Sequence, residues 1–326
     1  MKKLLPILLI VCILLGGCSN STQDSPQNED VLNRDLSRDS ENVKFRYDRP
    51  QNEISPVGIY SYANAEVSME SFLELFSEEP SIEKETFPNG FRETYTVGDE
   101  SGAILNRDGI LQSVDYNTSQ GFSYLFIEYD AETPDEIKEF EFISRNEIAE
   151  QLSGTVKELF GMDIKIRIDA VSAERFSSDI DTHIKAAAEL DDDPPTADKY
   201  GIPADYYLVS FIQAVDGVPI DGINGNAVFT AEGMELLSIY TPVAVTEKAS
   251  ASDTFISLDS AERLLKDKYE LLFLDEPVYV AGAELTYITN DGKLRPAWKF
   301  AFDGGNSEYY DAYTGREIIF YAGEGA

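Results

Sequence analysis

Histidine, cysteine and tryptophan are nearly missing from this 326-residue chain, which has one His, two Cys and one Trp. His183 stands near the polar run Ser177-Ser178-Asp179, and with no second imidazole a zinc site is poorly supplied. No His-Glu-x-x-His pair, Gly-x-Ser-x-Gly elbow or phosphate-binding glycine loop occurs, so the chemistries those motifs carry lose their signature. Positive charge is scarce too: 26 Lys and Arg face 60 Asp and Glu, a net charge of −34. Nucleic-acid binding needs the opposite sign, to release counterions from phosphates, and is excluded as a function class. Carboxylates are so abundant that a glycosidase-like pair is open by counting, yet the same abundance makes chance pairs common. Asp191-Asp192-Asp193 lacks the alternation and glycine of an EF-hand loop and reads as a solvated charge run. Neither a metal nor another cofactor is expected.

Long hydrophobic runs are also missing. Leu4 to Leu15 is almost unbroken, but it is shorter than the roughly 20 residues a helix needs to cross a bilayer. With Lys2 and Lys3 before it, the run has the size of a signal-peptide core. It ends in Leu15-Gly16-Gly17-Cys18, which resembles the lipobox of bacterial lipoproteins. The resemblance implies cleavage after residue 17, lipidation of Cys18, and residence on the extracellular face of the cell membrane. Diacylglycerol with a further acyl chain holds a protein stably, where one chain does not. Cys12 would leave with the signal and Cys18 would be consumed by lipid, so no disulfide and no thiol nucleophile remain.

Residues 18–54 are rich in Ser, Asn, Gln, Asp and Glu and are expected to form a flexible acidic tether. Beyond them the pattern becomes globular. Three amphipathic helices are predicted. Met69, Phe72, Leu73 and Phe76 share a face behind a Ser68 cap. A Ser144/Glu147 capping box opens a second stripe of Ile148, Leu152, Val156, Leu159 and Phe160, ended by Gly161. Ser257 or Asp259 caps a third, with Ala261, Leu264, Leu265 and Leu272. Residues 102–116 and 226–240 align without gaps, Asp108-Gly109 over Glu232-Gly233 and Tyr116 over Tyr240, and both read as hairpins with an acidic-Gly turn. The expected class is α+β: repeated modules, each one helix packed on an antiparallel sheet, at 55–143, 144–248 and 249–326. Glu189 to Pro195 and Thr246 to Thr254 read as exposed connections.

Gln213, Asp216-Gly217-Val218-Pro219-Ile220-Asp221-Gly222 and Glu232-Gly233 together resemble the thermolysin-type propeptide motif, a glutamine before a Gly-Val-Pro-Val turn and a hairpin. The last module resembles a PepSY domain in its helix start Ser257 to Glu262, its strand Leu294 to Phe300 and its ending Tyr310 to Ile318. The module order is similar to the YycH and YycI regulators, membrane-anchored extracellular proteins of Gram-positive bacteria. Those have a spanning helix where this chain has a lipobox.

The resemblance implies a non-enzymatic interaction protein whose partner is an envelope protein, either a sensor kinase of a two-component system or an extracellular peptidase that it inhibits or chaperones. A carbohydrate- or solute-binding lipoprotein with tyrosine platforms is the alternative, and a hydrolase with a carboxylate pair is the third reading. Gly217, Gly233, Asp311 and Gly315 are expected to make turns. Trp298, Phe300 and Tyr310 mark a candidate interaction strand, although even positions from Leu294 to Phe302 also fit the buried face of a half-buried strand.

Overall fold

The computed structural model describes residues 39–49, 55–118, 139–188, 204–249 and 255–319. Cys18, the Asp191 to Asp193 run and most of the tether fall outside these residues, and so does the side chain of His183. The first half of the chain carries β1 (Val43–Phe45), β2 (Ile59–Asn64), α1 (Met69–Leu73), β3 (Ser81–Phe87), β4 (Gly90–Val97), β5 (Glu100–Arg107) and β6 (Ile110–Asn117). Then come α2 (Arg145–Phe160), β7 (Asp163–Val171), α3 (Ala173–Ala188), β8 (Tyr206–Val215), β9 (Val218–Thr230), β10 (Gly233–Tyr240) and β11 (Val243–Ala249). The chain closes with α4 (Leu258–Glu270), β12 (Val278–Asn290), β13 (Lys293–Phe302), β14 (Ser307–Asp311) and β15 (Glu317–Ile318).

The expectation of repeated helix-on-sheet modules is corrected by this arrangement. Strands make up 51% of the structure and helices 20%. Fifteen strands are hydrogen-bonded into one mixed sheet, with four helices among the described residues. The described residues fall into two compact units: a smaller one within the spans 39–58, 255–286 and 295–319, and a larger one within 59–249 and 287–294.

In the larger unit the segments 55–143 and 144–248 do not keep separate sheets. β6 pairs antiparallel with β10, Val114 opposite Ile239 and Tyr116 opposite Leu237, so the run β3-β4-β5-β6-β10-β9-β8-β7 is continuous. One core lies on one face, where Phe72, Phe76, Ile148, Leu152, Val156 and Leu159 meet Val114, Tyr116, Phe211, Phe229 and Ile239. Alternation sends Val228 and Leu236 to the opposite face. There α3, absent from the predicted helices, supplies Phe176 and Ile180.

The ungapped match of the two hairpins is not a structural equivalence. β6 and β10 each carry an irregularity, near Gln112 and between Met234 and Leu236. Tyr116 joins the helix-side core, while Tyr240 lies opposite Ser113 on the other face. A one-residue slip flips every side chain, which accounts for the difference.

Helix α2 has the predicted ends. Ser144 accepts from the Glu147 amide, Glu147 caps back, and Gly161 closes the helix at φ 68°. Helix α4 stops at Glu270, so Leu272 lies beyond it, outside the stripe expected there.

The smaller unit recruits part of the expected tether. β1 pairs parallel with β12, Val43 opposite Val278 and Phe45 opposite Val280, and both Val43 and Phe45 are buried. Behind it Tyr47 donates to Glu262 Oε1 at 2.6 Å and the Arg49 guanidinium holds Glu262 Oε2. Glu262 is almost fully buried on α4, and the pairing lifts Arg49 above its ordinary value, chiefly through that hydrogen bond. A buried carboxylate without such donors would carry a large desolvation penalty.

Gly225 gives a direct test of the larger core. A Cβ added there would overlap the Phe211 ring and the Ser238 carbonyl oxygen. Gly225→Ala is expected to lower unfolding stability by about 1–3 kcal/mol, the usual cost of overpacking, measured by chemical denaturation. An unchanged midpoint would show that Phe211 can move aside.

Candidate functional site

The propeptide-like motif of the larger unit places a cluster of polar side chains beside a small cavity. Asp216 and Gly217 form the two-residue turn between β8 and β9, with φ of 49° and 75° and Val215 opposite Val218. Positive φ at both positions defines a type I′ turn, matched to strand twist, and glycine takes the second position without strain. Just before the turn the register of β8 with β9 breaks between Ile212, opposite Asn224, and Ala214, opposite Pro219, so Ile220 to Ile223 stand on β9 against Gln213 alone. A bulge re-aims the side chain it carries. Here Gln213, which is buried, has no β9 residue in register with it, while on its other side it stays opposite Ile164 of β7. Gln213 Nε2 donates to Val243 O at 2.7 Å, and Val243 N donates to Gln213 Oε1 at 3.1 Å. The amide thus serves as a short strand partner for the first residue of β11.

Asp216 reaches in the other direction. Tyr60 on β2 donates its hydroxyl to Asp216 Oδ2, and Lys248 Nζ on β11 lies 3.0 Å from the same oxygen. The Lys248 ammonium also stands 5.3 Å from the Tyr60 ring centroid. The Tyr60 hydrogen bond, then that of Lys248, holds the Asp216 carboxyl below its ordinary value. Burial, then the Asp216 bond, raises Tyr60, and Lys248 is raised by Tyr60 and by Asp216.

The cavity, about 210 Å³, is bounded by Gly161 and Asp163 after α2, by Gln213 and Asp216, and by Val243. That is below the roughly 300–1,000 Å³ usual for small-molecule sites. Its carboxylates, Asp163 and Asp216, are both more than half exposed, and each is paired with a lysine at 3.0 Å, Lys157 and Lys248. A general acid needs an apolar setting that keeps it protonated, whereas Asp216 is displaced the opposite way. Among the described residues no group of three or more His, Cys, Asp or Glu is placed to hold a metal.

The other singled-out residues fall in different places. Gly233 has φ 117° and Gly315 φ 68°. Asp311 Oδ1 accepts from the Tyr313 amide at 2.9 Å and from the Thr314 amide at 2.8 Å. Trp298, Phe300 and Tyr310 are buried in the smaller unit. Trp298 donates to Ile256 O at 3.0 Å, and the Phe300 and Tyr310 rings meet edge-on at 5.8 Å. An interaction surface on β13 and β14 cannot be made of these three side chains as they stand, because packing already uses their faces. Tyr60, Lys248 and Glu262 carry no local sequence signal. Their partners lie on strands or helices far along the chain.

No protein-family profile matches the chain, and no curated protein does. Among solved structures, an uncharacterized protein from Eubacterium rectale is similar, with a TM-score of 0.60 and 15% identity. The match covers 86% of this chain and 92% of that one. It is a likeness of fold.

The Gln213 clamp predicts that Gln213→Ala costs about 1–3 kcal/mol in denaturant unfolding, since both Val243 backbone groups lose their partner. Asp216 predicts a pH effect of definite sign. Its folded value lies below the unfolded one, so its stabilisation is present above the ordinary carboxylate range. That stabilisation fades as pH falls through the depressed value. Asp216→Asn should flatten the loss of thermal stability on acidification, and an unaltered pH profile would remove the cluster from the account.

Proposed function

We propose that this chain is a non-enzymatic interaction protein of the cell envelope, tethered to the outer face of the membrane by lipid on Cys18. In this reading it acts on a cell-envelope sensor kinase, as the YycH and YycI regulators do; the alternative is a PepSY- or propeptide-like inhibitor or chaperone of an extracellular peptidase. Among the described residues no helix is long and apolar enough to cross a membrane; in this reading the folded body makes the contact.

The observation that supports the reading best is the edge strand β3. It ends the strand order of the larger unit and is bonded to β4 along seven residue pairs on one side. All seven of its residues except Phe87 are exposed, including Ile82 at 58%. Among the described residues nothing pairs the other side of β3, and an edge of that kind recruits an extended segment by main-chain hydrogen bonds. Glu83, Lys84 and Glu85 place charges along it, the usual protection against indiscriminate edge pairing.

Two measurements test this. Cys18→Ala should move the protein from the membrane fraction to the medium and abolish labelling by an acyl analogue. A photo-crosslinking residue at Ile82, in intact cells, should capture an envelope protein. Capture of lipid and wall polymers alone would overturn the reading.

A further inference from the structure

Beyond α4 the chain runs Leu271-Leu272-Phe273, and all three are exposed: 82%, 44% and 108% of their full accessibility. Contiguous large apolar side chains of this kind are rare on a soluble surface and mark contacts. The segment is not a slack loop. Leu271 N donates to Lys268 O at 3.3 Å and Leu272 N to Tyr269 O at 3.1 Å, continuing the last helical turn. The Asn42 amide caps the end, donating to Tyr269 O at 2.9 Å and to Leu272 O at 3.0 Å. Asn42 is fixed in turn, its carbonyl accepting from Val278 N at 2.9 Å. A backbone already held this way loses little further entropy when its side chains are covered.

The charges around the tip narrow what can cover it. Glu270, Asp275 and Glu276 flank it and are exposed. The cation nearest in sequence, Lys268, is taken up by Glu308 at 2.9 Å and Glu317 at 2.6 Å. An anionic lipid surface meets this collar with like charge. A second copy brings its own net charge of −34. We infer that Leu271, Leu272 and Phe273 form a preformed docking knob for a partner protein presenting an apolar pocket rimmed by Lys or Arg. The inference rests on the interaction reading above and adds to it a second candidate surface, on the smaller unit. Phe273 is the anchor, since large aromatic side chains at the centre of a contact carry most of its strength. The acidic collar accelerates and orients the encounter.

The test places a photo-crosslinking residue at Leu272 in the full chain, made in its own cells, with the Ile82 probe in parallel. The expected result is one discrete protein adduct from Leu272. Phe273→Ser should reduce it at least about tenfold at equal protein abundance, and Glu270→Lys with Glu276→Lys should reduce it too. The Ile82 adduct should be unchanged in both variants. Three results overturn the knob: an adduct indifferent to Phe273→Ser, one with twice the mass of the chain, or lipid alone. If Ile82 captures a protein while Leu272 captures none, the knob falls and the interaction reading stands. If neither position captures a protein, both fall.

Discussion

Val114 opposite Ile239, and Tyr116 opposite Leu237, put four core side chains across the junction of β6 and β10. On either side of that seam lies a meander of four strands, β3 to β6 and β7 to β10. Unjoined, each would present a bare edge and an apolar face too narrow for the helices that need it. Joined, they give α1 and α2 a single surface to bury against, and they leave room on the reverse face for α3. The two irregularities beside the seam decide which residues face which layer, and the pairing tolerates them because the core alternation resumes after each.

Polar groups inside this acidic chain are kept by pairing instead of by exclusion. Gln213 satisfies both backbone groups of Val243, and Glu262 takes donors from Tyr47 and Arg49. Asp311 holds the amides of its own turn. Each arrangement joins segments distant in sequence or closes a turn, so these side chains specify register and position as much as they stabilise. Most of the other described carboxylates are exposed or half-buried, where their charge acts on whatever approaches the surface.

Local signals are legible where the physics is local. The Ser144/Glu147 box and Gly161 define α2 because capping acts within one turn. Asp108-Gly109 and Asp216-Gly217 define hairpins because left-handed dihedrals select those residues. Helix α3 carries a legible stripe, Phe176, Ile180 and Ile184, but Ser177-Ser178-Asp179 within it drew attention to polarity instead. β1 had almost no pattern to read: three residues, Val43 to Phe45, gain their meaning from a parallel partner at Val278 to Val280. The fusion of sheets at β6 and β10 was equally hidden, since alternation specifies a face and not a neighbour. At the candidate site Gln213 and Asp216 stood out as a motif, while the roles of Tyr60 and Lys248 depend on the topology of β2 and β11.

The smaller unit is discontinuous in sequence, built from segments before residue 59, between 250 and 286, and after 294. Its β1 bonds to β12, and β14 bonds to β13 and β15, so none of its sheet is complete until almost the whole chain has been released. The larger unit is nearly continuous and can collapse earlier through hairpins between near neighbours. Closing a loop that spans most of the protein is the slow kind of step in high-contact-order folds, whereas the β-meanders need only near neighbours. The Asn42 cap on Tyr269 and Leu272 is among the contacts that close that loop. A chain that lacks residues 39–49 would therefore lose the Asn42 cap and with it the rigid tip, while the hairpins of the larger unit keep all their strands.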